Sequence, residues 1–86
     1  MEKFSYTVKD ENGIHARPAG LIVNEAKKYD SNITVICKDK SADCKRLFSV
    51  MSLGAMRGDI LDIMIEGRDE KDAAKGILDT MNKAGL

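Results

Sequence analysis

The chain has 86 residues, 43% of them hydrophobic and 33% charged, with 14 basic side chains balanced by 14 acidic ones. That length and composition predict one soluble globular domain, burying roughly 60–65% of its unfolded surface, and exclude a disordered or low-complexity chain. Zero net charge argues against a general nucleic-acid or membrane-surface partner, since either needs a basic face, and no apolar run approaches the ~18 residues of a membrane span.

Met1-Glu2-Lys3-Phe4 lacks the apolar core of a secretion signal, so a cytoplasmic location is expected. Residues 3 to 8 alternate, with Phe4, Tyr6 and Val8 on one face, and predict a half-buried strand. Asp10-Glu11-Asn12-Gly13 breaks it. From Ala16 to about Lys28, the residues Ala19, Ile22, Val23 and Ala26 recur at helical spacing and leave Arg17, Asn24 and Lys27 on or near an open face. Asp30-Ser31-Asn32 ends that helix.

Ile33, Val35 and Cys37 alternate as a second strand, and a turn near Lys38-Asp39 returns the chain as a third through Ala42 and Cys44. If Cys37 lies opposite Lys40, Cys44 lies opposite Ile33. The sulfurs are then about four residues of strand apart, near ~13 Å, beyond disulfide reach. One lone histidine cannot complete a four-ligand zinc site with two cysteines at this spacing, so reduced, partly buried thiols and no metal or other cofactor are expected.

A short helix fits Leu47 to Leu53, with Val50 and Leu53 on one face and Leu47, Phe48 and Met51 on another. That is more apolar surface than one core face absorbs, so part of it is expected on the surface as a patch for a partner. Gly54 and Gly58 bracket a loop. Leu61, Ile63 and Ile65 then form a fourth strand. Asp69 is the expected N-cap of a last helix, with Glu70 and Asp72 in its first turn, a buried stripe of Ala73, Ala74, Ile77, Leu78 and Met81, and Gly85 as the stop.

The order strand-helix-strand-strand-helix-strand-helix predicts an α+β, two-layer open-faced sandwich over residues 1 to 86: an antiparallel four-stranded sheet covered on one face by three helices. An RNA-recognition domain shares much of this order. It would stack bases on sheet aromatics within a Lys/Arg-Gly-Phe/Tyr motif, whereas Phe4, Tyr6, Tyr29 and Phe48 are scattered here.

The only histidine and the only proline lie together in Gly13-Ile14-His15-Ala16-Arg17-Pro18-Ala19. A turn opening into a helix there puts His15 at the helix start, where unpaired N–H groups and the dipole stabilise an exposed negative charge by roughly 0.3–1 kcal/mol. Near neutral pH an unperturbed imidazole, with a pKa near ~6.5, keeps a nucleophilic nitrogen. A phosphoryl group carried on it would meet the N–H groups of Ala16 and Arg17 and the Arg17 guanidinium. No catalytic triad and no glycine-rich phosphate loop of the Walker type is present. Arg17, Lys27, Lys45, Arg46 and Arg57 flank the segment and the short helix, either as solvated surface or as a basic rim around an anion site.

This segment resembles the active-site signature of the histidine phosphocarrier (HPr) family of the bacterial sugar phosphotransferase system, and Val50-Met51-Ser52-Leu53-Gly54 resembles that family's second signature at the usual spacing. The resemblance implies a carrier rather than an enzyme, charged on His15 from phosphoenolpyruvate by Enzyme I and discharged by the A component of Enzyme II, working as a monomer. It also implies a shared docking patch at Arg17, Gly20, Asn24, Lys27, Leu47, Phe48 and Met51. Two positions depart from the family pattern. Arg46 stands where many Gram-positive members carry a kinase-phosphorylated serine, and Gly20 where threonine, alanine or valine is more usual. The alternatives are a paralogue serving a regulatory or dihydroxyacetone-kinase chain, and a binding module that acts without phosphate through Leu47, Phe48 and Met51.

Overall fold

In a computed structural model describing Met1–Leu86, the alternating segments form four strands and the amphipathic segments three helices. The elements are β1 (Glu2–Thr7), α1 (Ala16–Ala26), β2 (Asn32–Cys37), β3 (Lys40–Asp43), α2 (Leu47–Met51), β4 (Ile60–Glu66) and α3 (Glu70–Lys83). All strand pairs are antiparallel, in the order β1-β4-β2-β3. No helix is long and apolar enough to cross a membrane.

Strand side chains alternate between faces. The inward set, including Tyr6, Ile33, Val35, Leu61, Ile63 and Ile65, meets Ala19, Ile22, Val23 and Ala26 of α1 and Ala73, Ile77 and Met81 of α3 in one apolar cluster. The opposite sheet face has no helix over it, and there Ser5 donates to Asp62 across β1 and β4 at 2.6 Å. This is the open-faced arrangement expected from the element order. Cys37 pairs opposite Lys40, and the Cys44 N–H reaches the Ile33 carbonyl at 2.8 Å, so the register is as expected. Both thiols are free and fully buried rather than partly so, and burial pushes Cys44 up to about 12.

Four details differ from the sequence expectation. The short helix stops at Met51, and α1 stops at Ala26. Leu78 is 38% exposed instead of joining the buried stripe, because α3 turns only Ala73, Ile77 and Met81 fully onto the core. Asp69 occupies the N-cap of α3, yet its carboxylate makes no capping bond. It reaches instead to the loop after α1, accepting from the backbone N–H groups of Asp30 at 2.9 Å and Ser31 at 3.0 Å and from the Ser31 hydroxyl.

The end of α3 follows the glycine stop closely. Gly85 adopts φ +72°, its N–H bonds Asn82, and the Leu86 N–H bonds the Met81 carbonyl, which is the Schellman pattern. That turn drives the Leu86 side chain into the core with no exposure. It also points the Leu86 carbonyl at the segment leaving β1.

The Ser31 hydroxyl and then the backbone N–H groups hold the Asp69 carboxyl below the usual carboxylate range. A depressed folded-state pKa contributes stability that is present above the unfolded value and lost as pH falls through the folded one. Asp69→Asn is therefore expected to lower the denaturant midpoint at neutral pH, with the gap from the parent closing as the solution is acidified below about pH 4. A gap that persists undiminished into strong acid would remove the charge of Asp69 from the account.

Candidate functional site

Between β1 and α1 the chain is fixed residue by residue. The Val8 N–H donates to Asp59 at 2.9 Å, and its carbonyl accepts from Gly58 at 2.8 Å. The N–H groups of Lys9 and Asp10 both donate to the Leu86 carbonyl, at 2.6 and 2.8 Å. Asp10 then starts a turn: its carbonyl accepts from the Gly13 N–H and its Oδ1 from the Asn12 N–H, each at 2.9 Å. Gly13 sits at φ +66°, and a Cβ there would lie 2.3 Å from the Ala55 carbonyl oxygen. Only glycine fits. One residue on, the Ile14 N–H donates to that same oxygen at 2.9 Å, which ties the His15 segment to the loop after α2.

His15 is the N-cap residue of α1, in extended backbone geometry (φ −131°, ψ −178°). Its side chain is 39% exposed and makes no capping bond. The Ala19 N–H donates to the His15 carbonyl at 3.0 Å as the first bond of the helix. Pro18, at the third helical position, has no N–H to leave unpaired. Ala16 and Arg17 therefore supply the two unpaired helical N–H groups at this end. The Nε2 atom of His15 lies 3.0 Å from Asp10 Oδ2, while Nδ1 has no partner.

By sequence Asp10 is only a strand breaker; in the fold its carboxylate is the hydrogen-bond partner of the His15 ring. A turn-forming Asp five residues before a helix-start histidine was the available signal. The Asn12 N–H, and then His15, hold its carboxyl below the usual carboxylate range, with a smaller contribution from the positive charge of Arg17.

Arg17, Gly20, Asn24 and Lys27 follow one another three or four residues apart, the spacing of a single helical stripe. Arg17, Asn24 and Lys27 are exposed and Gly20 is half-buried, with open space where its Cβ would stand. Alongside this stripe Leu21 is 43% exposed, an apolar neighbour that the helical periodicity did not single out. Helix α2 packs against α1. On it Phe48 is 82% and Leu47 37% exposed, Met51 is half-buried against the core, and Val50 is fully buried. The predicted patch residues thus lie on two helices in contact with each other, and Phe48 is the most exposed of the apolar ones.

Arg46 is the N-cap of α2, without a capping bond, and its guanidinium lies 3.9 Å from Asp43. The proposed basic rim is narrower than five residues. The Lys45 amine donates to the Tyr29 carbonyl at 2.7 Å, and Arg57 lies 3.9 Å from Glu11. Arg17 and Lys27 have no carboxylate within ion-pair distance. No cluster of three or more histidine, cysteine or acidic side chains suited to a metal ion is present.

Residues 2–83 match a family model described as the PTS HPr component phosphorylation site. Among solved structures the chain is similar to the histidine-containing phosphocarrier protein of Mycoplasma, at 36% identity and a TM-score of 0.97 over 99% of this chain and 97% of that one. It is similar to the phosphocarrier protein HPr of Bacillus anthracis at 29% identity and a TM-score of 0.83, covering 92% of this chain and 94% of that one. It also resembles an HPr dimer from Thermoanaerobacter tengcongensis, at 34% identity and a TM-score of 0.78, covering 100% of this chain and 99% of that one. Matched from end to end by family model and by fold, the chain belongs to the HPr phosphocarrier family of the phosphotransferase system.

Proposed function

We propose that this chain is a phosphoryl carrier that accepts the group on His15 from Enzyme I and passes it to the A component of a sugar-specific Enzyme II. The observation that carries this reading is the state of His15: half-exposed at the start of α1, with one ring nitrogen free and the unpaired N–H groups of Ala16 and Arg17 at the same helix end. Those donors, the helix dipole and the mobile Arg17 guanidinium all favour a dianionic group. None encloses it. A carrier must release what it accepts, and a site open to solvent keeps the stabilisation moderate.

In this reading other enzymes load and unload the chain, which is itself no enzyme and works as a monomer. Arg17, Gly20, Asn24, Lys27, Leu47, Phe48 and Met51 form the docking face for both partners. A route into a regulatory or dihydroxyacetone-kinase chain shares the His15 chemistry and differs in which acceptor takes the phosphate. It gains some support from Arg46, which removes the hydroxyl used to regulate many Gram-positive carriers.

Incubation with phosphoenolpyruvate and Enzyme I is expected to add one acid-labile phosphoryl group, visible in the intact mass and absent from His15→Ala. Full labelling of His15→Ala would sink the assignment. Phe48, with 82% of its surface exposed, anchors docking in this proposal. Phe48→Ala is expected to slow transfer while costing far less stability than the roughly 3–5 kcal/mol of a buried phenylalanine; a loss in that range on urea unfolding would place Phe48 in the core.

A phosphoserine would bring about −1.5 to −2 charge beside this face, where Arg46 brings a positive one. Addition of an ATP-dependent HPr serine kinase is therefore expected to leave residue 46 unmodified and the charging of His15 unslowed. Ser49 is half-buried, and the Ser52 hydroxyl is tied to the Phe48 carbonyl at 2.7 Å, so neither substitutes. Stoichiometric phosphate on either serine, mapped by mass spectrometry and accompanied by slowed charging, would overturn this, with Arg46→Ser as the positive control.

A further inference from the structure

We propose that Asp10 is a positioning residue for the carrier histidine: its carboxylate holds the Nε2 proton of His15 and so keeps the ring in the tautomer whose Nδ1 is unprotonated. The proposal deepens the carrier reading above and rests on it for the transfer step, while the state of the uncharged ring can be observed without any transfer.

The geometry supports the assignment on both sides of the bond. On the Asp10 side every other polar atom is already committed. The N–H goes to the Leu86 carbonyl at 2.8 Å, the carbonyl receives the Gly13 N–H at 2.9 Å, and Oδ1 receives the Asn12 N–H at 2.9 Å. Oδ2 alone is left, and it lies 3.0 Å from His15 Nε2. An ionised carboxylate only accepts, so the ring nitrogen facing it must be the donor. Asp10 is in the ionised state, since the Asn12 N–H and the histidine both hold its carboxyl below the usual range. On the His15 side, a neutral imidazole with its proton on Nε2 has its lone pair on Nδ1.

The electron balance gives Asp10 a second effect. The Nδ1 lone pair forms the N–P bond as the bond from phosphorus to the donor protein's leaving atom breaks, the electron pair of that bond departing with the donor. Nε2 keeps its proton, so the ring becomes a phosphorylated imidazolium. The carboxylate at 3.0 Å meets that positive charge as it forms, much as the aspartate of a Ser-His-Asp triad orients and stabilises its histidine. Discharge to an acceptor reverses each step and returns the ring to its neutral form with the proton still beside Asp10.

The placement of Asp10 depends in turn on the far end of the chain. The Leu86 carbonyl takes the Lys9 and Asp10 N–H groups only because Gly85 turns the backbone after α3 and the Leu86 side chain is seated in the core. The end of α3 thereby fixes the carboxylate that orients the ring.

The test uses the full chain, Asp10→Ala and Asp10→Asn, each checked for folding by circular dichroism. Side-chain 15N shifts of uncharged His15, recorded near pH 8.5 where an ordinary imidazole is neutral, are expected to show a protonated Nε2 and a bare Nδ1 in the parent. In Asp10→Ala the two tautomers should mix. Asp10→Asn, which can still accept through its amide oxygen, should keep the parent tautomer. Charging by phosphoenolpyruvate and Enzyme I is expected to slow on the order of tenfold in both variants, through loss of a charge-assisted contact that is partly open to solvent. A parent tautomer unchanged in Asp10→Ala, or charging at the parent rate in that variant, would overturn the role of Asp10 and leave the carrier reading standing. A parent chain that takes no phosphate would instead overturn the carrier reading, and the 15N shifts would still decide the tautomer.

Discussion

The close approach of Gly13 to the Ala55 carbonyl is the constraint on which the site depends. A side chain at Gly13 would come within 2.3 Å of that oxygen, and the backbone there has a left-handed φ. Two loops far apart in sequence are therefore pressed together backbone to backbone. One carries Asp10 and His15, and the other links α2 to β4. The bonds from Val8 to Asp59 and from Gly58 to Val8 continue the seam, and the Leu86 carbonyl closes it from α3. Val8, Ile14, Ala55 and Leu86 form an apolar floor beneath, all of them buried. His15 thus stands on a loop hydrogen-bonded to the loop after α2 and to the end of α3, and in the proposed carrier role that fixed backbone helps present one nitrogen to successive partners.

The helix starts of α1 and α2, which adjoin the proposed docking face, both lack a favoured capping residue. An N-cap serine, threonine, aspartate or asparagine contributes about 0.5–2 kcal/mol over alanine. Helix α1 has His15 at that position and α2 has Arg46, and neither makes a capping bond. Arg46 also brings a cation to the positive end of the dipole. Helix α3 also lacks a capping bond, because its N-cap Asp69 is engaged with the Ser31 loop, but it has a favoured residue there, Glu70 and Asp72 in its first turn and a Schellman stop at its end. What sets α1 and α2 apart from α3 is the residue type at the N-cap, and in the proposed docking role an unfavoured residue at two neighbouring helix starts is what a surface kept for function leaves behind.

Most of the fold was legible because it rests on periodicity. Alternation over Ile33, Val35 and Cys37 and over Leu61, Ile63 and Ile65 fixes which strand faces are buried, and the Lys38-Asp39 turn sets the register of β2 with β3. What escaped was long-range or set by turns. Asp69 looks like a helix cap because capping is a local rule, yet its carboxylate finds better donors 38 residues away in the loop of Ser31. Lys45 looks like part of a basic rim until its amine is seen at the Tyr29 carbonyl. His15 was conspicuous as a unique residue in a charged turn. Asp10 was not, because its contact with the ring arises from the fold of the Gly13 turn and from a carbonyl at Leu86, neither of which shows in the spacing of the two residues.

The composition of the proposed docking face bears on how a carrier can serve two partners in succession. Binding that is tight to either would stall the cycle, so affinity must be modest and encounter fast. A single protruding aromatic supplies one anchor that a pocket on each partner can receive, the sort of residue that dominates small interfaces. Arg17 and Lys27, exposed and free of carboxylate partners, add cations along α1. Charges in such a position act more on the rate of encounter than on the strength of the complex, and their influence fades with salt. Phosphorylation at His15 would partly cancel that field by adding negative charge at the end of α1 that carries Arg17. A donor with an acidic face would then hold the charged carrier less tightly than the uncharged one, which favours release after transfer with no change in the shape of the fold.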